Sequence, residues 1–109
     1  MPDDNIWLSP TEVRDSTIHG RGRFTIDNIK SNSIIGIIIG DIIPIDGKHL
    51  PILGTGYCIR CPNTMINHDR NSNLFIEGQI VIKAKRDIDA GEELTLDYRT
   101  LTSSIADFY

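Results

Sequence analysis

Apolar positions in this chain recur in short alternations and brief runs. They do not follow helical spacing, and they predict strands. Glu12 to Asp15 reads as a short strand, and Ser16 to Arg23 (STIHGRGR) as a loop with two glycines. Phe24, Ile26 and Ile29 resume the apolar pattern, and Ser31 to Ser33 mark a turn. Ile34 to Ile43 (IIGIIIGDII) is apolar enough to predict one or two strands covered on both faces, with bends or bulges at Gly36 and Gly40. Pro44 to Gly56 is rich in proline and glycine and reads as irregular. Tyr57 to Arg60 suits a strand, and Cys61 to Ile66 a helical turn with Pro62 near its start. The clearest local signal is Leu74 to Ala84 (LFIEGQIVIKA), two strands about a two-residue turn at Glu77–Gly78. Ile80, Ile82 and Ala84 would share one face, with Val81, Lys83 and Lys85 on the other. Asp89 to Gly91 is another turn, and Leu94 and Leu96 share a face of the segment from Glu93 to Tyr98.

Composition strengthens the β reading. There are 20 isoleucines against 7 leucines, 2 valines and 3 alanines, and Ile packs better on a pleated surface than in a helix. The 109 residues make one domain, with 39% hydrophobic and 24% charged residues, a soluble globular composition. The longest apolar runs are too short for a membrane helix. The acidic start MPDDNIW lacks the apolar stretch of a signal peptide, and there is no Asn-x-Ser/Thr sequon. An intracellular protein is expected, cytoplasmic in a bacterium or nuclear in a eukaryote or virus, with Cys58 and Cys61 as reduced thiols. The net charge of −4 argues against direct nucleic-acid binding and suits a basic, lysine-rich partner.

Four segments stand in a particular order: STIHGRGRFT at 16–25, IIGIIIGD at 34–41, MINHDRNSNL at 65–74 and AKRDIDAGEELTLDY at 84–98. An Asn–His pair followed within about thirty residues by GEEL and a terminal DY is the most specific part. Together they resemble the SET domain, the β-rich fold of protein lysine methyltransferases, over residues 12–98. Residues 1–11 would then be a lead-in and 99–109 a short tail. The resemblance implies short, curved β-sheets with little helix, in a β-clip-like arrangement. A C-terminal pseudoknot would bring the Asn–His and Tyr segments to one site.

It also implies S-adenosylmethionine as methyl donor and S-adenosylhomocysteine as product. The main chain of Gly22, Arg23 and Phe24 would pass the cofactor, since glycine permits close approach; alone, GRG equally makes a tight turn. Asn67 would bond the cofactor's amino-acid end, with the backbone beside His68 meeting adenine; alone, the pair equally makes a turn with a satisfied histidine. Tyr98 matches the family's catalytic tyrosine, which orients the amine, where a plain strand-end tyrosine would only satisfy its hydroxyl. Tyr57 is a second candidate wall of the lysine channel. Phe108–Tyr109 would fold over adenine, line that channel, or fray. Glu92, Glu93 and Asp97 read as structural. The usual Asn-His-Ser-Cys-x-Pro-Asn pattern is broken: Asp69, Arg70 and Ser72 replace its Ser, Cys and Pro, while Asn73 matches its last Asn. With that cysteine lost and no cysteine-rich extension after residue 98, no zinc is expected.

Two other metal-like patterns fail on chemistry. Cys58-x-x-Cys61 is half a zinc site at most, and it has no βαβ frame for a redox role. Asp69-x-Asn71-x-Asn73 starts like a calcium loop, but Leu74 stands where glycine is required and Ile80 where glutamate is required. The expected partner is a lysine-bearing basic protein or peptide. Histones are the family's habit, although no residue here selects one. The groove-shaping region 41–62 is short, so a homodimer is one way to complete the groove. The alternative to an enzyme is a SET-like module that binds a basic peptide with weak or no turnover.

Overall fold

The structure is a computed structural model that describes residues 7–47, 50–52, 54–60, 65–78 and 80–97. Ten strands occupy them: β1 (Thr11–Asp15), β2 (Arg21–Thr25), β3 (Ile34–Ile37), β4 (Asp41–Pro44), β5 (Leu50–Ile52), β6 (Tyr57–Arg60), β7 (Asn67–His68), β8 (Leu74–Glu77), β9 (Val81–Ala84) and β10 (Thr95–Leu96). No helix is present among the described residues. The strands form four small sheets: β1–β2, β3–β9–β8, β4–β6–β5, and a parallel pair of β7 with β10. Parallel pairing cannot come from a hairpin. It sets Thr95 beside Asn67 and Leu96 beside His68, so the C-terminal stretch returns alongside the Asn–His segment.

The core lies between the β3–β9–β8 sheet and the segment around β10. Ile35 of β3, Leu74 of β8, Ile82 and Ala84 of β9, and Leu94 and Leu96 around β10 are buried together, with Ile29, Ile66 and Ile88 from the connections. Ile29 and Ile88 also bridge to each other, which ties the chain before β3 to the chain after β9. The register of β3 on β9 slips between Ile34 and Gly36, a bulge where the sequence predicts one.

Several expectations are corrected. The loop read over 16–23 ends at Gly20, and Arg21–Thr25 pair with β1 along their whole length. The region 44–56 contains β5, which pairs with β6. The chain from Trp7 is not loose: Trp7 bridges Gly36, and the Leu8 amide donates to the Ile35 carbonyl at 2.9 Å. Strands β3 and β4 are not covered on both faces, because Ile34, Ile39 and Ile42 are exposed. The β8–β9 turn takes three residues, since Glu77 opposes Val81, and Gly78 supplies its left-handed backbone at φ 62°. Ile80 falls in that turn and is exposed, so it does not share the face of Ile82 and Ala84. Around β10 both faces are covered, as Leu94, Thr95, Leu96 and Asp97 are all buried.

The turn at 89–91 is clamped by an ion pair. Arg86 Nη2 lies 3.0 Å from Glu92 Oε1, and the Asp89 amide donates to Glu92 Oε2 at 2.7 Å. The bond from Arg86, aided by that amide, holds the Glu92 carboxyl below the usual carboxylate range. A depressed carboxyl stabilises the fold above its unfolded-state value, and that contribution is lost as pH falls through the folded value. The pair is partly exposed, so Glu92→Gln is expected to cost about 1 kcal/mol or less at neutral pH. The difference from the parent protein should close as the pH is lowered into the acid range, as urea unfolding at stepped pH will show.

Candidate functional site

The site forms where β2, β7 and the segment leading into β10 meet. The Leu94 amide donates to the Arg23 carbonyl at 2.8 Å and the Thr25 amide to the Glu92 carbonyl at 3.1 Å. Residues 92–94 therefore run along the edge of β2 that β1 leaves open. Neighbouring side chains on an extended segment point opposite ways. Glu92 thus clamps its turn, while Glu93 points inward.

Glu93 meets two partners there. The Ser16 hydroxyl donates to its carboxylate, 2.7 Å from Oε1 and 2.9 Å from Oε2. Asn67 Nδ2 lies 2.9 Å from Oε2, and also 3.1 Å from Ser16 Oγ, 3.0 Å from the His19 carbonyl and 3.1 Å from the Arg21 carbonyl. Ser16 Oγ in turn accepts from the amides of Ile18 at 2.9 Å and His19 at 3.3 Å, which fixes the loop before β2. The two protons of this nitrogen face four oxygens, two of them carbonyls and one a carboxylate oxygen, which assigns the nitrogen end of the Asn67 amide to that side. Its oxygen takes no hydrogen bond among the described residues.

Gly22 faces the same cluster. A Cβ on Gly22 would overlap Glu93 Oε2, and it would lie 2.8 Å from Glu93 Cδ and 3.1 Å from Asn67 Nδ2. The glycine inside a strand is therefore explained by space: the Glu93 side chain occupies the volume a Cβ would take. Phe24, on the same face of β2, bridges Glu93 through its backbone and lies under the Arg14 guanidinium, 4.1 Å from the ring centre. The Arg23 side chain leaves from the opposite face. It is buried, donates to Thr11 Oγ1 at 2.8 Å and lies 5.0 Å over the Trp7 ring. Only its main chain faces residues 92–94.

His68 follows Asn67 on β7 with its ring partly exposed, and its Nδ1 lies 3.9 Å from Asp97 Oδ1. Asn73 fastens the whole arrangement from below. It is buried, and its side chain donates to the Glu93 carbonyl at 2.8 Å and accepts from the Thr95 amide at 2.9 Å. The Asp69 carboxylate caps the Asn71 amide at 2.8 Å, an ordinary turn role.

Gly22, Phe24, Asn67 and the Arg23 main chain are thus brought together, with His68 alongside. Tyr57 is not: it stands on β6 in a separate sheet, 49% exposed, and makes no bond to Ser16, Asn67 or Glu93. Tyr98, Phe108, Tyr109 and Cys61 lie outside the described residues, as do residues 61–64 of the expected helical turn. Cys58 is buried, with Sγ 3.6 Å from the Pro44 carbonyl and 3.7 Å from Asp46 Oδ1, and burial pushes its thiol up. No metal-ligating cluster occurs among the described residues. Sequence reading missed Ser16 and the inward role of Glu93. Strand alternation through the GEEL segment was the available signal, because it turns only one of the two glutamates inward.

The family profile for the SET domain matches residues 20–99. No curated protein sequence matches the chain. Among solved structures, the chain is similar to a humanized mutant of the Chaetomium thermophilum Polycomb Repressive Complex 2 bound to the inhibitor GSK126. The TM-score is 0.74 at 23% identity, over 87% of this chain and 16% of that one. It is also similar to KRYPTONITE in complex with mCHH DNA, an H3(1-15) peptide and SAH. There the TM-score is 0.72 at 22% identity, over 89% of this chain and 25% of that one. At these identities the likeness is one of fold, and the chain spans a quarter or less of either structure's length.

Proposed function

Because the chain belongs to the SET-domain family, we propose that it transfers a methyl group from S-adenosylmethionine to a lysine side-chain amine of a basic protein segment, with histone tails as the leading substrate class. The observation that carries this reading is the placement of the Asn67 amide against the β2 main chain, beside the parallel pairing of Asn67–His68 with Thr95–Leu96.

The donor set fits the cofactor's chemistry. S-adenosylmethionine carries positive charge at its ammonium and its sulfonium, and the acceptor this site has to offer is the Asn67 amide oxygen, because the Glu93 carboxylate and the His19 and Arg21 carbonyls face the amide nitrogen. Asn67 and the β2 main chain at Gly22 would hold the amino-acid end. When bound, the cofactor supplies an activated methyl group. The residues of the chain would position the acceptor. A lysine attacks only as the neutral amine, since an ammonium has no lone pair. The Tyr98 hydroxyl would orient that lone pair along the line of displacement and keep water from it. The net charge of −4 favours a basic substrate segment, and the complex of KRYPTONITE with a histone peptide and SAH supports both ligand classes.

Calorimetry and methyl labelling test this reading. The protein should bind S-adenosylmethionine at one saturable site, with affinity falling more than roughly tenfold in Asn67→Ala. Tyr98→Phe should bind the cofactor as the parent does, yet label a histone mixture roughly a hundredfold more slowly. Absence of cofactor binding, or an unchanged rate in Tyr98→Phe, would remove the enzyme reading.

A further inference from the structure

We propose that Glu93, anchored by Ser16, is a positioning residue that sets which end of the Asn67 amide faces the cofactor, and so makes the site selective for a ligand carrying a free α-amine. The inference rests on the reading of this site as an S-adenosylmethionine site, and it adds to that reading the source of the ligand selectivity.

An asparagine amide has two ends of nearly equal size and opposite polarity. Rotated one way, Asn67 offers an acceptor to the open side, which an ammonium needs. Rotated the other way, it offers a donor, which an ammonium rejects. The surroundings decide between them. With Nδ2 inward, the amide faces a carboxylate oxygen at 2.9 Å, a hydroxyl oxygen at 3.1 Å and two carbonyls at 3.0 and 3.1 Å. With Oδ1 inward, an oxygen would sit against those same four oxygens. Glu93 is the only charged member of the set, so it contributes most to the preference.

Ser16 makes that carboxylate stay. One hydroxyl proton reaches both carboxylate oxygens, and three donors, the amides of Ile18 and His19 and Asn67 Nδ2, share the two lone pairs of the same hydroxyl. The serine therefore has no acceptor left for a second donor. A glutamine at position 93 cannot be satisfied in the same pose. Its NH2 would face either Asn67 Nδ2 or the saturated Ser16 oxygen, while turning the Asn67 amide over sets Oδ1 against the His19 and Arg21 carbonyls, so neither orientation is favoured as the parent's is. Gly22 leaves the volume that the carboxylate fills.

The test compares two probes by calorimetry: S-adenosylhomocysteine and its analogue lacking the α-amine. The parent protein should prefer the amine-bearing probe by roughly tenfold to a hundredfold. Glu93→Gln should lose most of that preference and bind the amine-free probe within about threefold of the parent. A residue with a purely structural role would weaken both probes alike, and that outcome overturns the proposal. Ser16→Ala, which keeps the carboxylate but frees it to rotate, should lower the ratio in the same direction. Asn67→Ala should abolish the preference, and adding Glu93→Gln to it should change nothing further. A preference that survives in Asn67→Ala and disappears only in the double variant would mean that Glu93 meets the ammonium directly, and would also overturn the proposal. A parent protein that binds both probes equally sinks this inference alone. One that binds neither sinks the cofactor reading and this inference with it.

Discussion

Asn73→Ala is expected to lower stability by about 3 kcal/mol, a drop of more than roughly 10 °C in the melting temperature of a domain this size. The side chain is 3% exposed and joins two strands that are neighbours only in space. Its amide nitrogen serves the Glu93 carbonyl, and its oxygen serves the Thr95 amide, at 2.8 and 2.9 Å. Its own backbone amide donates to Thr95 Oγ1 at 3.2 Å. Truncation to alanine leaves a buried carbonyl and a buried amide without partners, and each such loss costs about 1–3 kcal/mol. Asn73→Asp separates the two bonds. Its carboxylate can still accept from Thr95 but repels the Glu93 carbonyl, so it should be destabilised as well. Thermal melts of both variants decide the matter, and a shift within about 2 °C for Asn73→Ala would mean that the clamp carries no stability. Because Asn73 fixes the backbone of Glu93, cofactor affinity should fall along with stability. This separates it from Glu93→Gln, where affinity falls for the amine-bearing ligand and not for the amine-free one.

Asn73 also shows what the sequence could and could not reveal. Its letter matched the last position of a family motif, yet its role appears only when Thr95, far along the chain, is placed opposite it. Strands made by neighbouring residues were legible from the local pattern: β1, β6 and the turn at 89–91 stand where it puts them, and the β8–β9 hairpin is there with its turn shifted, Glu77 lying in β8 and Ile80 outside β9. The bulge at Gly36 was legible too, because a glycine within an apolar run marks a close approach or a bend. Strand β2 was not. Glycines and arginines suggest a loop, and the reason Gly22 lies in a strand is a carboxylate contributed by another element. The exposed isoleucines of β3 and β4 misled in the opposite way: apolar runs report strand character, and burial depends on which sheets pack together. For the site, the family resemblance named Gly22 and Asn67, which the structure brings side by side. The Ser16–Glu93 pair that surrounds them was hidden, since it depends on three segments meeting and not on any local spacing.

Gly22→Ala should lower S-adenosylmethionine affinity by more than tenfold while costing only about 1 kcal/mol of stability, and the imbalance follows from what the new methyl would strike. The backbone at Gly22 is that of an ordinary strand, paired with Arg14 across β1, so alanine meets no conformational penalty. Replacing glycine there even reduces the freedom of the unfolded chain, worth about 0.4–1 kcal/mol in the variant's favour. Against this stands the overlap with Glu93 Oε2 and the approach of 2.8 Å to Glu93 Cδ. Crowding of this kind costs about 1–3 kcal/mol when the neighbour cannot move. Here it is the end of a partly exposed side chain, which can swing away. The fold therefore survives, but the carboxylate leaves Ser16 and Asn67, and the Asn67 amide loses its strongest orienting partner. Calorimetry with S-adenosylmethionine and a thermal melt on the same variant would show the two effects apart. Combining Gly22→Ala with Glu93→Ala supplies the decisive comparison. If the methyl acts by displacing the carboxylate, its stability cost disappears once the carboxylate is gone, whereas a cost that persists unchanged in the double variant would place the conflict in the β2 backbone.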